Sequence, residues 1–425
     1  MRRRFSGLLA AGVSTTLALT TLSACGESSS ADGAGTTLKL VVTEYGDRSG
    51  NSSKRYWDQL IGEFEFKHPE ISVDVDIYDR GAVDRRVSEL VEAGNPPDMA
   101  QMATYADYAE QDMLYSADEL LSIPAQADFV TAVAEAGQAN RTQYGMPFVA
   151  STRVFFYNKK LLRDAGITTP PKTWQELQSA AVALEQSGVK TPYGLPLGPE
   201  EPQAETLNWL LSGGGGYTDN IGAYTIDAPE NIRTFEWLRD ELVAKGLTNP
   251  EPGETDRQDV YDGFARGEVA MLNGHPTLMQ IAQENGIDYG MAPPPGKDGE
   301  SPATTGVADW MTAFKKNGNQ EAIGEFLNFA YSKENVLKFA QQYDLLPVTN
   351  SAFDAMRADK ENKAVWEFLD QLRTAQLYPV DKVSWGPTVR TLRATIGRTV
   401  EPKGDPGSVL AQLQREAETK ENAAS

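Results

Sequence analysis

The 425-residue sequence has one cysteine, Cys25, and two histidines, His68 and His275. A lone cysteine cannot form an internal disulfide, so the fold must hold without covalent staples. Two histidines in different settings and one thiol leave no zinc or copper set readable along the chain, although an oxygen-only calcium site would leave no such trace. Basic residues are outnumbered, with 39 Lys and Arg against 60 Asp and Glu and a formal net charge of −21. Such a surface repels nucleic acid and anionic headgroups, which argues against both as partners. After the first 25 residues no segment approaches the 18 consecutive apolar residues that a membrane-spanning helix needs. No G-x-S-x-G occurs, so no nucleophile elbow is marked. The GGGG run at 213–216 lacks a following Lys-Ser/Thr, so it is not a phosphate loop.

What is present begins with a leader. Arg2, Arg3 and Arg4 precede an uncharged, mostly apolar run at 8–22, and small residues follow. This is the order of a secretory signal. The stretch LSAC (22–25) resembles the bacterial lipobox. That resemblance implies a diacylglyceryl thioether on Cys25 and cleavage after Ala24, and two acyl chains hold a protein firmly at a bilayer. Residues 26–37 (GESSSADGAGTT) have the composition of a flexible tether. The expected plan is therefore a signal peptide at 1–24, a lipidated Cys and tether at 25–37, and a soluble body at the outer face of a membrane. Without the three leader arginines the net charge is −24.

The body is longer than one comfortable core, which sets two domains as the prior. LKLVVT (38–43) reads as a buried strand. Trp57, Leu60, Ile61 and Phe64 share one helical face, and Pro69 stops that helix. ISVDVDI (71–77) alternates apolar and acidic, as a half-exposed strand does. Val83, Val87, Leu90 and Val91 mark a second helix closed by Gly94, and DMAQM follows as a short strand. Strand and helix in alternation predict an α/β fold with parallel pairing. Thr173 with Glu176 three residues on forms a capping box for a helix to 188. Helices are also expected over 203–212, 229–245, 321–331 and 335–342, with a strand at VAML and a loop at PPPGKDGESPATTG. Trp57, Trp174, Trp237 and Trp366 lie on helix patterns and are assigned to packing.

Several blocks in order resemble the extracellular solute-binding proteins of ABC importers, the maltose-binding-protein-like group. They are WDQLIGEFEFKHPEISVDV, NPPDMAQM, MPFVASTRVFFYNKKLLRDAGITTPPKTWQEL, WLLSGGGG, GFARGEVAMLNG and NQEAIGEFLNFAYSKENVLKF. The resemblance implies the two-lobed periplasmic-binding-protein type II fold, with an interlobe cleft and a hinge. Crossings are implied near 149–153, 304–307 and 352–360. One lobe would be 38–149 plus 307–354, and the other 154–303 plus 360–425. The implied function is capture of a mono- or oligosaccharide for ABC permease subunits, by a monomer without cofactor, resident metal or catalysis.

A sugar site needs aromatic faces and fixed polar groups for hydroxyls. Trp209 precedes the GGGG turn, Trp310 lies in TTGVADWMTAF, and Trp385 lies in DKVSWGPTVRTL; all three are candidates. Tyr45 and Asp47 follow the first strand, and Gln101 and Tyr105 follow the strand after Pro97, where open α/β sheets bind ligands. Arg153 sits in an extended apolar run and needs a partner, either a ligand or an interlobe carboxylate. Asp309 and Arg390 complete the set, and His275 could face the cleft or cap a turn. The family pattern often has an acid near Ser151, which this chain lacks. Two other classes compete. A polyamine, phosphate-ester or peptide binder would use a differently charged cleft, and a phosphate ester would want a second cation beside Arg153. A secreted glycoside hydrolase would need two opposed carboxylates, and no local motif nominates a pair.

Overall fold

The structure, a computed structural model, describes residues 35–46, 51–79 and 81–424. Cys25, the leader, most of the tether and Asp47 lie outside the described residues. Strand β1 (Thr36–Thr43) begins two residues earlier than LKLVVT suggests. Thr36 and Thr37 pair with Ile71 and Ser72 of β2, so these two residues belong to the sheet and not to the tether.

The parallel unit expected at the start of the body is present. Strands β1, β2 (Ile71–Tyr78) and β3 (Met99–Met102) pair in parallel, with β1 between the other two. A strand in that position is covered on both edges, and Leu38, Leu40, Val41 and Val42 are buried. β2 lies at the sheet edge and keeps its acidic alternation; Asp74 is exposed while Ile71 and Val73 are buried. The helix Ser53–Lys67 buries Trp57, Leu60, Ile61 and Phe64. Each such side chain contributes about 1.5–3 kcal/mol of transfer free energy. Lys67 closes its last turn, where a cation suits the helix dipole.

Two further strands complete this sheet. They are β4 (Met146–Thr152) and a late strand, Gly306–Ala313, which pairs antiparallel with both β3 and β4. The second sheet holds β5 (Val154–Asn158), β6 (Thr191–Gly194), β7 (Val269–Gly274) and β8 (Tyr289–Ala292), in the order β8-β5-β7-β6. With β9 as the late strand, the first sheet reads β2-β1-β3-β9-β4. Each sheet is the centre of one lobe of a two-lobed α/β fold. The capping box is formed, with Thr173 Oγ1 accepting from the Glu176 amide at 3.1 Å. The helix expected over 229–245 runs Pro229–Trp237 and continues as wider π-type turns, Leu238–Val243.

Arg153 alone separates β4 from β5, so the chain passes from one sheet to the other at this residue. It returns at Thr304 and Thr305, just before β9. Thr304 Oγ1 lies 2.7 Å from the Arg153 carbonyl and 2.8 Å from Asn208 Oδ1, and the Thr305 amide donates to the same Asn208 oxygen at 3.3 Å. Thr305 Oγ1 donates to the Ala204 carbonyl at 3.0 Å. The helix Pro202–Ser212 is buried along its whole length and anchors both passages. Later, the Thr152 hydroxyl donates to the Phe368 carbonyl at 3.1 Å, and the Gln376 amide donates to the Thr304 carbonyl at 2.9 Å.

Candidate functional site

The C-terminal ends of β1 and β3 bring Tyr45 and Gln101 together. Gln101 Nε2 donates to the Tyr45 hydroxyl at 2.9 Å, and that hydroxyl donates to Asp309. Asp309 sits where the pairing of β9 with β4 slips register, between Asp309 and Trp310. A slip of this kind re-aims a side chain out of the sheet. Tyr45 and Asp309 are half-buried and Gln101 is buried. Gln101 Oε1 is buried and has no partner among the described residues. Behind it, Asp84 takes the Ala103 amide at 3.0 Å and the Thr104 hydroxyl at 3.3 Å. Burial, the largest cause, pushes the Asp84 carboxyl up to about 6, helped by Asp309 and opposed by these donors.

The second wall is built on ion pairs. Arg153 is buried, 4 % exposed, and its guanidinium lies 3.1 Å from Glu201. Arg257, on the helix Arg257–Ala265, lies 3.0 Å from the same Glu201 and also pairs with Glu200. Arg257 Nη1 faces His275 Nε2 at 3.2 Å, and His275 Nδ1 lies 2.7 Å from the Thr277 hydroxyl. A guanidinium only donates, so Nε2 must accept and the ring proton sits on Nδ1. Arg257 also covers the Tyr261 ring at 5.0 Å. Two arginines and two carboxylates thus balance within one network.

One level deeper lies Glu205, fully enclosed on the helix Pro202–Ser212. Its Oε1 accepts from Trp209 Nε1 at 2.8 Å, Tyr193 OH at 3.0 Å and Asn273 Nδ2 at 3.1 Å. Burial dominates and pushes this carboxyl up to about 7, against the pull of those donors and of Arg153. Arg390 acts electrostatically on Asp107, and Asp381 on Tyr105.

The model of the family described as bacterial extracellular solute-binding protein matches residues 50–337. The chain belongs to that family. This solute-binding protein is 25% identical over 387 residues to a Brucella abortus (strain 2308) protein named only as a candidate binding protein, spanning 90% of this chain and 92% of that one. It is 26% identical over 326 residues to the sn-glycerol-3-phosphate-binding periplasmic protein UgpB of Shigella dysenteriae, covering 71% and 72%. In fold it matches the cyclic alpha-maltosyl-1,6-maltose binding protein of Arthrobacter globiformis with a TM-score of 0.79 at 15% identity, over 92% of this chain and 100% of that one.

Within the solute-binding protein the structure gathers Tyr45, Gln101 and Asp309, and places Arg153 at the crossing itself. It corrects the expected aromatic platforms. Trp209 is 3 % exposed and packs among Trp174, Trp237 and Tyr193, with ring centroids 5.6–5.8 Å away. Trp310 is 1 % exposed and lies edge-on to Tyr105 at 5.9 Å. Tyr105 is likewise buried, and its hydroxyl donates to the Ala136 carbonyl at 2.9 Å. These three serve the core because their strands and helices turn those positions inward. Trp385 is covered by Tyr217 and by Tyr378, which stacks on it at 5.6 Å. Arg390 is exposed on the same helix, Trp385–Thr395. His275 lies two residues before the helix Thr277–Glu284 and joins the charged network. Sequence reading missed Glu200, Glu201 and Arg257. An EE-Pro at a helix start was visible, but nothing local tied it to Arg153.

Proposed function

We propose that the protein captures an uncharged, hydroxyl-rich solute, a mono- or oligosaccharide, between its lobes and delivers it to ABC permease subunits. The observation that carries this reading is the pair of walls flanking the Arg153 crossing. One offers the Tyr45–Asp309–Gln101 chain and the other a charge-balanced array of Arg153, Arg257, Glu200 and Glu201. Such arrays donate and accept in fixed directions, as hydroxyl recognition requires. A ligand touching both lobes favours the closed state through its differential contacts there. The lobes divide, in this reading, at 149–153, 304–307 and 352–360, giving 38–149 plus 307–354 and 154–303 plus 360–425. Sugar ligands of structurally similar proteins such as the Arthrobacter globiformis one point the same way.

A phosphate-ester ligand is the second reading, favoured by the Shigella dysenteriae relative and by Arg257 standing as the second cation beside Arg153. Physical chemistry weighs against it. Both guanidinium groups already face Glu200 and Glu201, and a dianion placed there would meet two carboxylates before any free positive charge. The deciding experiment is a thermal-shift screen across sugars, sn-glycerol 3-phosphate, polyamines and peptides, since a ligand bound only by the native state raises the melting point. A sugar hit without a phosphate-ester hit is expected; the reverse overturns the reading. The same screen followed for glycoside turnover is expected to show none.

The lipid anchor on Cys25 belongs to the same proposal, with the monomeric body held at the outer face of the cell membrane. No helix among the described residues is long and apolar enough to cross a membrane. Cys25→Ala is expected to release the protein from the membrane fraction, and retention there would contradict the anchor.

A further inference from the structure

We propose that His68, Glu70 and Glu325 form a site for a zinc-class divalent cation on the first lobe, at the end of the sheet opposite the cleft. His68 follows the helix Ser53–Lys67, Glu70 immediately precedes β2, and Glu325 lies on the helix Gln320–Ala330. The β1 and β2 strands start here, whereas their far ends lead to Tyr45. The site is thus remote from the proposed ligand walls.

His68 Nδ1 lies 3.1 Å from Glu325 Oε2 and 3.7 Å from Glu70 Oε1. One oxygen from each acid and a ring nitrogen all fall within 4.8 Å of one another. A tetrahedral zinc with bonds of about 2.0–2.1 Å separates its ligand atoms by about 3.3 Å, so the cluster needs only small adjustments. Both carboxylates converge on the same ring nitrogen. An imidazolium has one N–H at Nδ1 and cannot serve two acids there, while a cation at their common focus satisfies all three. Neither acid pairs with a lysine or arginine among the described residues. The nearby Lys67 is instead engaged over the Phe329 ring at 4.7 Å.

The ring is held in place. Phe64 stacks on it at 4.6 Å with planes 16° apart, and the His68 amide donates to the Phe64 carbonyl at 2.9 Å. A hollow of about 810 Å³ opens beside the cluster and is lined also by Glu119 and Glu321, which adds negative potential along the approach. An imidazole with carboxylates suits zinc and its neighbours, whereas calcium prefers six to eight oxygens. Bound there, the ion would clip the turn between helix and β2 to the helix Gln320–Ala330, stabilising the first lobe.

The test uses the full-length chain without an affinity tag, carrying Cys25→Ser to remove its one thiol and stripped with a chelator. Zinc is expected to raise the melting temperature, while calcium and magnesium at equal concentration do not. His68→Gln and Glu325→Gln are each expected to weaken zinc binding tenfold or more. An absent zinc shift, an equal calcium shift, or undiminished zinc affinity in both variants overturns the proposal. Should a variant fail to fold, X-ray absorption on the zinc-loaded parent decides. One imidazole with oxygen ligands at about 2.0–2.1 Å supports the site, and an all-oxygen shell sinks it.

Discussion

The two walls beside the Arg153 crossing solve the same task in opposite ways. On the first, Tyr45 and Asp309 stay half-buried, and Gln101 keeps an acceptor without a partner. On the second, Arg153 and Arg257 are already paired with Glu200 and Glu201. In the proposed reading, the half-buried groups of the first wall, Tyr45 and Asp309, are the ones a ligand meets. On the second, the four charges face one another, an arrangement costly to disturb. Substitutions on the first wall should therefore report on binding with little effect on folding, and those on the second on both.

The largest effects should come from the interior that both walls lean on. Trp310→Ala is expected to cost about 3–5 kcal/mol, because a buried indole leaves a cavity that strand neighbours cannot fill. Arg153→Ala should cost about the same, since it empties the buried crossing and leaves Glu201 to Arg257 alone. Chemical denaturation measures both, and a loss below about 1 kcal/mol for either would place that residue outside the rigid scaffold.

Next comes pH. The Glu205 carboxyl is raised to about 7 from an ordinary 4.5, so the folded state holds a proton that the unfolded chain releases. Stability is then greatest below about 4.5, as far as this group is concerned, and declines as pH rises through about 7. The span is on the order of 3 kcal/mol. Glu205→Gln should flatten that decline; a decline of unchanged size would assign it to other groups, Asp84 being the first to consider.

The smallest effect on folding, and the sharpest on function, is expected for Tyr45→Phe. Stability should change by about 1 kcal/mol or less, while ligand affinity falls roughly tenfold with the lost hydroxyl. Calorimetric titration with the best sugar measures it. An unchanged dissociation constant would remove Tyr45 from the site.

Much of the scaffold was legible because periodicity reports local burial. Trp57, Leu60, Ile61 and Phe64 announced their helix face, and Thr173 with Glu176 announced a helix start. Tyr45 lies just beyond β1, as expected, whereas Gln101, expected to follow a strand, lies within β3. Trp209 and Trp310 were misread because a tryptophan before a glycine turn, or inside a strand, looks alike whether its ring faces a cleft or a core. Only the tertiary neighbours Trp174, Trp237 and Tyr105 decide it. The Glu201–Arg257 pair and the His68–Glu325 pair were illegible for a simpler reason. Each joins residues far apart in the chain, and no spacing rule connects them.

Small-angle X-ray scattering, with and without the sugar that raises the melting point most, tests the central claim directly. Closure of two lobes on a shared guest predicts a smaller radius of gyration in the saturated protein. A profile that does not change while calorimetry reports full occupancy would contradict it.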